Sequence, residues 1–297
     1  MINKYDAIKD IVLKQVDNEG NFQSKIEGLR MAIRKEPTNF IKCFYTSSCI
    51  LVIQGEKQTI LGKESITYAK GKYLLSTMDI PVSSRITKAS LNEPFVVLIL
   101  QLDPRIIKEL ILETNLKISD NSMSTPITVQ DIDEELLDAF YRLVLLTDKN
   151  EKEQKILSQM ILKEIYYRLL TGKPSNQLLL AYTKGTKQNQ ITDAINILKE
   201  NYNKKLNMDD MARLINMAPS SFYRNFKKIT NVTPLQFQKK LKLNEAQRLL
   251  LTEDYNATTV SYKVGYESPA QFNREYKKMF GIAPKSSIKK LTYSLSV

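Results

Sequence analysis

Val264-Gly265-Tyr266-Glu267-Ser268-Pro269-Ala270-Gln271-Phe272-Asn273-Arg274-Glu275-Tyr276-Lys277-Lys278-Met279-Phe280-Gly281-Ile282-Ala283-Pro284 reads as a turn, a capped helix and a hard stop. Ser268 stands where a side-chain oxygen can accept from the first free amides of a helix. Pro269 follows at the first helical position, where its missing N–H costs nothing. Phe272, Tyr276 and Phe280 make one apolar stripe, with Met279 beside it. Gly281 supplies a left-handed residue that ends the helix, and Pro284 prevents its resuming. The face left over is Ala270, Gln271, Asn273, Arg274, Lys277 and Lys278. It is polar at its N-terminal end and basic at its C-terminal end, as a helix laid in a DNA major groove requires.

This stretch has a second copy upstream. Pro219 to Ile229 predicts a helix with Phe222 and Phe226 inward and Ser220, Ser221, Tyr223, Arg224, Lys227 and Lys228 outward. Phe222-x-Arg224-x-Phe226-Lys227-Lys228 is answered 50 residues later by Phe272-x-Arg274-x-Tyr276-Lys277-Lys278, and Thr233-Pro234 by Ala283-Pro284. A match in both core aromatics, the arginine, the lysine pair and the proline is a repeat. Helices are also expected over Ile191–Tyr202 and Met208–Ile215, the second with Ala212 where two helices approach closely, and Met217 ends the turn. Between the copies Leu235–Leu251 reads as a helix of roughly 25 Å at about 1.5 Å per residue. That spacer suits two recognition helices in successive major grooves, about 34 Å apart.

The charge is placed to match. Of 297 residues carrying a net charge of +12, residues 186–297 hold 19 Lys/Arg against 9 Asp/Glu, and residues 1–185 hold 25 against 23. A basic domain beside a nearly neutral one is what phosphate binding asks for. There is no histidine, which removes Ser–His and Cys–His catalysis and His-ligated metals, so no metal and no cofactor are expected. Cys43 and Cys49 have no CxxC spacing and read as buried, reduced thiols. No apolar run is long enough for a membrane helix and the N-terminus lacks a signal pattern, so a cytoplasmic location is expected.

Upstream, Asn3–Val16 has a helical stripe (Tyr5, Ile8, Ile11, Val12, Val16). Short β-rich runs follow at Phe40–Tyr45, Cys49–Gly55, Gln58–Leu61, Ser65–Ala69, Tyr73–Thr77, Val82–Thr87 and Pro94–Leu102, with Gly55-Glu56-Lys57 expected as a hairpin turn. Short strands at this spacing predict a β-barrel or jelly roll. Phe44, Tyr45, Tyr68, Leu75 and Met78 are the side chains expected to line a small-molecule cavity inside it, with core packing as the alternative for each. Asp103-Pro104 opens a helix to about Glu113, and Lys117–Ser124 is a loop. Asp131–Leu146 and Glu151–Leu170, with Ile156, Met160, Ile161, Ile165, Tyr166 and Leu169 as the apolar positions of the second, predict an antiparallel hairpin. Helices 131–147 and 151–171 can cover the barrel and can also pair with a second copy. A polar linker is expected near Thr183–Gln188.

Lys242-Leu243-x-x-Ala246-x-x-Leu249-Leu250, with Val264-Gly265-Tyr266-Glu267-Ser268 through Phe272-x-Arg274-Glu275 to Phe280-Gly281-x-x-Pro284, resembles the DNA-binding domain of the AraC/XylS family of transcription regulators. Tyr73-Leu74-Leu75-Ser76 followed by Ile80-Pro81-Val82 resembles, more loosely, the cupin-like effector domain of one branch of that family. The resemblance implies an α+β chain: a cupin-like β-barrel with helical hairpin over 1–182 and an all-α tandem helix-turn-helix domain over 191–290. It implies base contacts from Ser220, Tyr223 and Arg224 and from Ala270, Gln271, Asn273 and Arg274. Phosphate contacts fall to Lys227, Lys228, Lys277 and Lys278. Arginine suits guanine O6/N7 and asparagine suits adenine, whereas lysines position without specifying. Ala218 departs from the family's capping serine, and Asn231 from its glycine.

The function expected is sequence-specific regulation of transcription, not catalysis. The partners are double-stranded promoter or operator DNA, a small-molecule effector and, for an activator, RNA polymerase. The alternatives are a constitutive DNA-binding regulator and a DNA-binding enzyme. A cupin-type enzyme is opposed by the absent histidines, and a Cys-nucleophile repair protein by the alternating strand on which Cys43 lies.

Overall fold

The structure, a computed structural model, describes residues 3–16 and 19–290, with side chains to residue 287. Residue 1, the outer bound expected for the first domain, lies outside them. The chain begins with α1 (Lys4–Gln15) and continues through β1 (Gly20–Gln23), β2 (Leu29–Arg34), β3 (Ile41–Tyr45), β4 (Ser48–Gln54), β5 (Glu56–Leu61), β6 (Glu64–Ala69), β7 (Lys72–Ser76), β8 (Ile80–Lys88) and β9 (Phe95–Gln101). Then come α2 (Pro104–Thr114), β10 (Ile127–Asp131), α3 (Glu134–Leu145), α4 (Glu151–Thr171) and α5 (Ser175–Tyr182). One antiparallel sheet runs β1-β2-β9-β4-β7-β10 and a second runs β3-β8-β5-β6. The sheets do not close on each other, so the expected barrel is a cupin-like sandwich.

Side-chain alternation builds two cores from one sheet. On β9, Phe95, Val97 and Ile99 face the second sheet, and Val96, Leu98 and Leu100 face α1 to α5. Burial on both faces is why this strand and β4 read as unbroken apolar runs. Gly55 is not a hairpin turn. Glu56 and Lys57 already belong to β5, and β4 and β5 lie in different sheets. Gly55 carries the chain across at φ +86°, where a Cβ would sit 2.6 Å from the Lys88 carbonyl oxygen, so only glycine fits. The true hairpin is β5–β6, closed through Gly62.

α3 and α4 form the expected hairpin and pack on their own sheet. Asp131 ends β10, and α3 starts at Glu134, where Asp133 accepts the Leu136 amide proton at 2.7 Å. Ile156 and Met160 do not join the core. They are 62% and 66% exposed, while Gln154, Ser158 and Leu162 face inward. The segment expected as a linker is a packed corner: α5 runs to Tyr182, α6 begins at Lys187, and Thr186 and Gln188 are buried.

The remainder is helical: α6 (Lys187–Glu200), α7 (Met208–Leu214), α8 (Pro219–Thr230), α9 (Pro234–Thr252), α10 (Ala257–Lys263), α11 (Pro269–Phe280) and α12 (Pro284–Lys290). It has two cores, one around Phe222, Phe226 and Phe237 and one around Phe272, Tyr276 and Val260. No helix among the described residues is long and apolar enough to cross a membrane.

Candidate nucleic-acid interface

The repeat extends beyond the recognition helices. Asn207 caps α7 and Asn256 caps α10, each accepting backbone N–H groups through its side chain. Asn216 (φ 56°) and Gly265 (φ 80°) make the same left-handed step. The next amides, of Met217 and Tyr266, both donate back at 2.9 Å, to the Ala212 and Ser261 carbonyls. Ala212 and Ser261 are themselves fully buried, as a close helix–helix approach demands. These pairs are 49 residues apart. Glu267 is the extra residue that makes the offset 50 by the time α8 and α11 begin.

The ends of the recognition helices differ in the way their sequences imply. Ser268 Oγ accepts from the Gln271 amide at 3.4 Å, whereas Ala218 offers α8 no side-chain cap. At the other end Asn231 (φ 60°) and Gly281 (φ 77°) adopt the same left-handed conformation. Their amides donate to Lys227 and Lys277 at 2.9 and 2.8 Å, so asparagine fills the glycine role.

Both outward faces are open. Ser220, Tyr223, Arg224, Lys227 and Lys228 are exposed on α8, and Ala270, Gln271, Asn273, Arg274, Lys277 and Lys278 on α11. Phe222, Phe226, Phe272 and Tyr276 stay in the cores. Among the described residues, none of the six cations on these faces is in a salt bridge. Six cations without an ion-pair partner on two helices make a positive surface suited to a polyanion. Gln271 donates to Glu275 at 3.3 Å and Asn273 to the Pro269 carbonyl at 2.8 Å.

Two sets of contacts hold the heads relative to each other. Gln238 on α9 donates to the Tyr202 and Lys204 carbonyls (3.0 and 2.8 Å), and Lys242 donates to the Gly265 carbonyl (2.7 Å). A Cβ on Gly265 would fall 2.0 Å from the Asn203 carbonyl oxygen, so the second turn lies directly on the loop that follows α6. The spacer α9 has 19 residues, about 28 Å of helix.

The five side chains expected to share one effector cavity divide among three cores. Tyr45 and Tyr68 lie between the sheets, their hydroxyls 3.1 Å apart and that of Tyr45 2.7 Å from Thr59. Leu75 is on the far face of the six-stranded sheet, under the helices. Met78 belongs to the core of the first helix-turn-helix, and Phe44 packs against that core. Beside Tyr45 and Tyr68 sits Lys57, for which a place in a hairpin turn gives no sign of burial. It is 2% exposed, its ammonium is 5.2 Å from the Tyr45 ring centre, and burial pushes its amine down to about 8. Burial also pushes both thiols up, the opposite of an activated nucleophile. A cleft of about 920 Å³ opens elsewhere, between α2, α4 and the loop before β2, lined by Ile26, Gln101, Asp103, Gln154, Ser158 and Tyr166 among others.

The sandwich touches both heads of the reader. Phe44 meets Phe237 edge-on at 5.3 Å, Phe237 meets Phe226 at 5.3 Å, and Phe226 meets Phe222 at 5.5 Å. Asp79 pairs with Lys199 of α6 at 2.5 Å. Gly62 abuts the Asn231 side chain, where a Cβ would come within 2.5 Å. Among the described residues, the core of the second head contains none from the sandwich, although β3 passes beside α11.

Residues 25–177 match the family model for the AraC-type transcriptional regulator N-terminus, and residues 211–290 match a helix-turn-helix domain model. The activator RhaS of Pectobacterium carotovorum is 26% identical over 110 residues, 37% of this chain and 39% of that protein. The raffinose operon regulator RafR of Pediococcus pentosaceus is 26% identical over 129 residues, 43% and 46% of the two chains. The chain thus spans less than half the length of these curated relatives. Among solved structures, ToxT of Vibrio cholerae in its unsaturated-fatty-acid-bound form has a TM-score of 0.61 at 14% identity, over 94% of this chain and 100% of that one. An apo ToxT variant gives 0.64 at 12% identity, over 91% and 100%.

Proposed function

The chain belongs to the AraC-type transcriptional regulators, and on that premise we propose that it reads a specific DNA site with two recognition helices in adjacent major grooves. The observation that carries this reading is the duplicated pair of exposed faces, each with an arginine and two lysines free of acidic partners, held on a rigid spacer. Arg224 and Arg274 reach guanine edges, with Ser220, Tyr223, Ala270, Gln271 and Asn273 alongside. Lys227, Lys228, Lys277 and Lys278 take phosphates and set the register.

Residues 1–182 serve as the controlling module and residues 191–290, with the first turn of α6, as the reader. The route for control is the aromatic path from Phe44 to Phe222 together with the Asp79–Lys199 pair, which would bias the first head. What supports an effector is the 920 Å³ cleft, of a size that holds small ligands and lined by convergent polar groups. Ile156, Met160 and Tyr167 stay exposed on α4 and favour pairing of helices 131–147 and 151–171 with a second copy. Activation would add RNA polymerase as a partner, and the place of action is the cytoplasm, with the DNA. Thermal stabilisation of the full chain by a small molecule separates this regulator from a constitutive one.

The test is affinity for a selected site against random duplex at several salt concentrations. The expected specific-to-random ratio is about 10³ or more, with log K falling steeply against log salt. A ratio near one at every salt would leave only a basic surface.

A further inference from the structure

Glu275 stands on α11 among residues that face the solvent, yet its side chain is only 16% exposed. It accepts from Tyr266 Oη at 2.8 Å, from Lys239 Nζ on the spacer α9 at 2.9 Å and from Gln271 Nε2 at 3.3 Å. Burial alone would push this carboxyl up. The bonds from Lys239, Tyr266 and Gln271 outweigh it and hold the carboxylate ionised. One group thereby ties together the turn, the spacer and the reading face of the second head.

The first head offers an internal comparison. Tyr266 corresponds to Met217 and Glu275 to Asn225, and the bond there is a single weak contact, Asn225 Nδ2 to Met217 Sδ at 3.7 Å. Asn225 is buried and, among the described residues, its side chain hydrogen-bonds neither to the spacer nor to an outward side chain. A charge-assisted three-way junction in one copy and one amide–thioether contact in the other are not equivalent solutions to holding a helix in place.

We propose that Glu275 is a positioning residue for base reading: anchored to the spacer by Lys239, it holds the Gln271 amide nitrogen and so turns that side chain's carbonyl oxygen toward the groove. The inference rests on the DNA-reading function proposed above. A carbonyl presented this way accepts from an exocyclic amino group, the N4 of cytosine or the N6 of adenine, and finds no donor on a guanine or thymine edge. The second head then combines an arginine donor at Arg274 with an acceptor at Gln271. The first head has Ser221 at the equivalent position, a shorter hydroxyl that can donate or accept and is not held as an acceptor.

The experiment is selection of bound duplexes from a randomised library by the full chain, comparing wild type with Glu275→Leu, Tyr266→Phe and Gln271→Met, with salt dependence measured on the selected site. The expected result is that Glu275→Leu lowers discrimination about five- to tenfold at one amino-bearing base of the second half-site, the worth of one base-edge hydrogen bond. The first half-site and the salt slope stay unchanged. Gln271→Met gives the same loss at the same base, and the double variant loses no more than either single one. Tyr266→Phe, which removes one bond and leaves the core intact, gives a smaller loss at that position. Uniform weakening of all sequences, or additive losses from Glu275→Leu and Gln271→Met, would overturn the positioning role. A wild-type chain that enriches no sequence would instead remove the DNA-reading premise, before any variant is compared.

Discussion

Replacing Lys57 with methionine should stabilise the protein, and by an amount that disappears with rising pH. The amine lies between the sheets, 2% exposed, with no carboxylate partner among the described residues; what faces it is the Tyr45 ring, the Cys43 thiol and the Arg34 guanidinium. Its proton is held with an affinity near 8 in place of 10.5. At ~1.4 kcal/mol per tenfold change in proton affinity, keeping it charged at neutral pH costs about 3 kcal/mol. Methionine fills a similar length and forfeits the cation over Tyr45, about 1 kcal/mol, for a net gain of about 2 kcal/mol. The unfolded chain keeps this proton up to 10.5, and the folded chain releases it above about 8. Between those values the unfolded state binds more protons, so wild-type stability climbs with pH. The variant's advantage is therefore full below about 8 and lost by 10.5. Urea unfolding of the full chain, followed by circular dichroism across that range, measures the difference, and other titrating groups cancel between the two proteins. A variant less stable than wild type at neutral pH, or a pH-independent difference, would show that the ammonium is compensated where it lies.

Three further outcomes follow from the reader. Arg274→Ala should cost about 1–3 kcal/mol on the specific site and relax preference at one base pair, while Lys278→Ala weakens all sequences alike; equal loss on specific and random DNA for Arg274→Ala would falsify its base-reading role. Ala218→Ser should add about 1 kcal/mol to stability by capping α8, seen as a raised urea midpoint, and no rise would mean that end of the helix is already satisfied. Gly265→Ala places a methyl 2.0 Å from the Asn203 carbonyl oxygen in a left-handed conformation and should cost about 2–3 kcal/mol or more. An unchanged midpoint would contradict the close packing of the second turn on the loop after α6.

The reader was legible because each of its features is local. Caps, stripes and left-handed stops are carried by residues within one or two turns of one another, and the same local pattern recurs 50 residues later. What the sequence hid depends on partners far along the chain. β2 contains Arg30 and Arg34, which break its apolar run, yet Arg34 lies buried with its guanidinium donating to the Gly20 and Ile33 carbonyls and to Asn21. β1 and β10 are edge strands with few fully buried positions, and β10 is largely polar. α5 opens on Ser175-Asn176-Gln177 and conceals a core of Leu178 to Tyr182. The cavity assignment joined Phe44 to Tyr45, neighbours on one strand whose side chains must point to opposite faces. Period-2 geometry alone separates that pair. Only the folded chain reveals that Phe44 points at the reader.

A hydroxyl-radical footprint of the full chain on its selected site, with bound stoichiometry determined alongside, counts the helices that each chain places in the grooves. The expected pattern is two protected windows on one face of the duplex, about 10 base pairs apart centre to centre, for each bound chain. Arg224→Ala should relax base preference within one window and Arg274→Ala within the other. A single window per chain, or two that appear only when two chains bind, would contradict a reader with two heads.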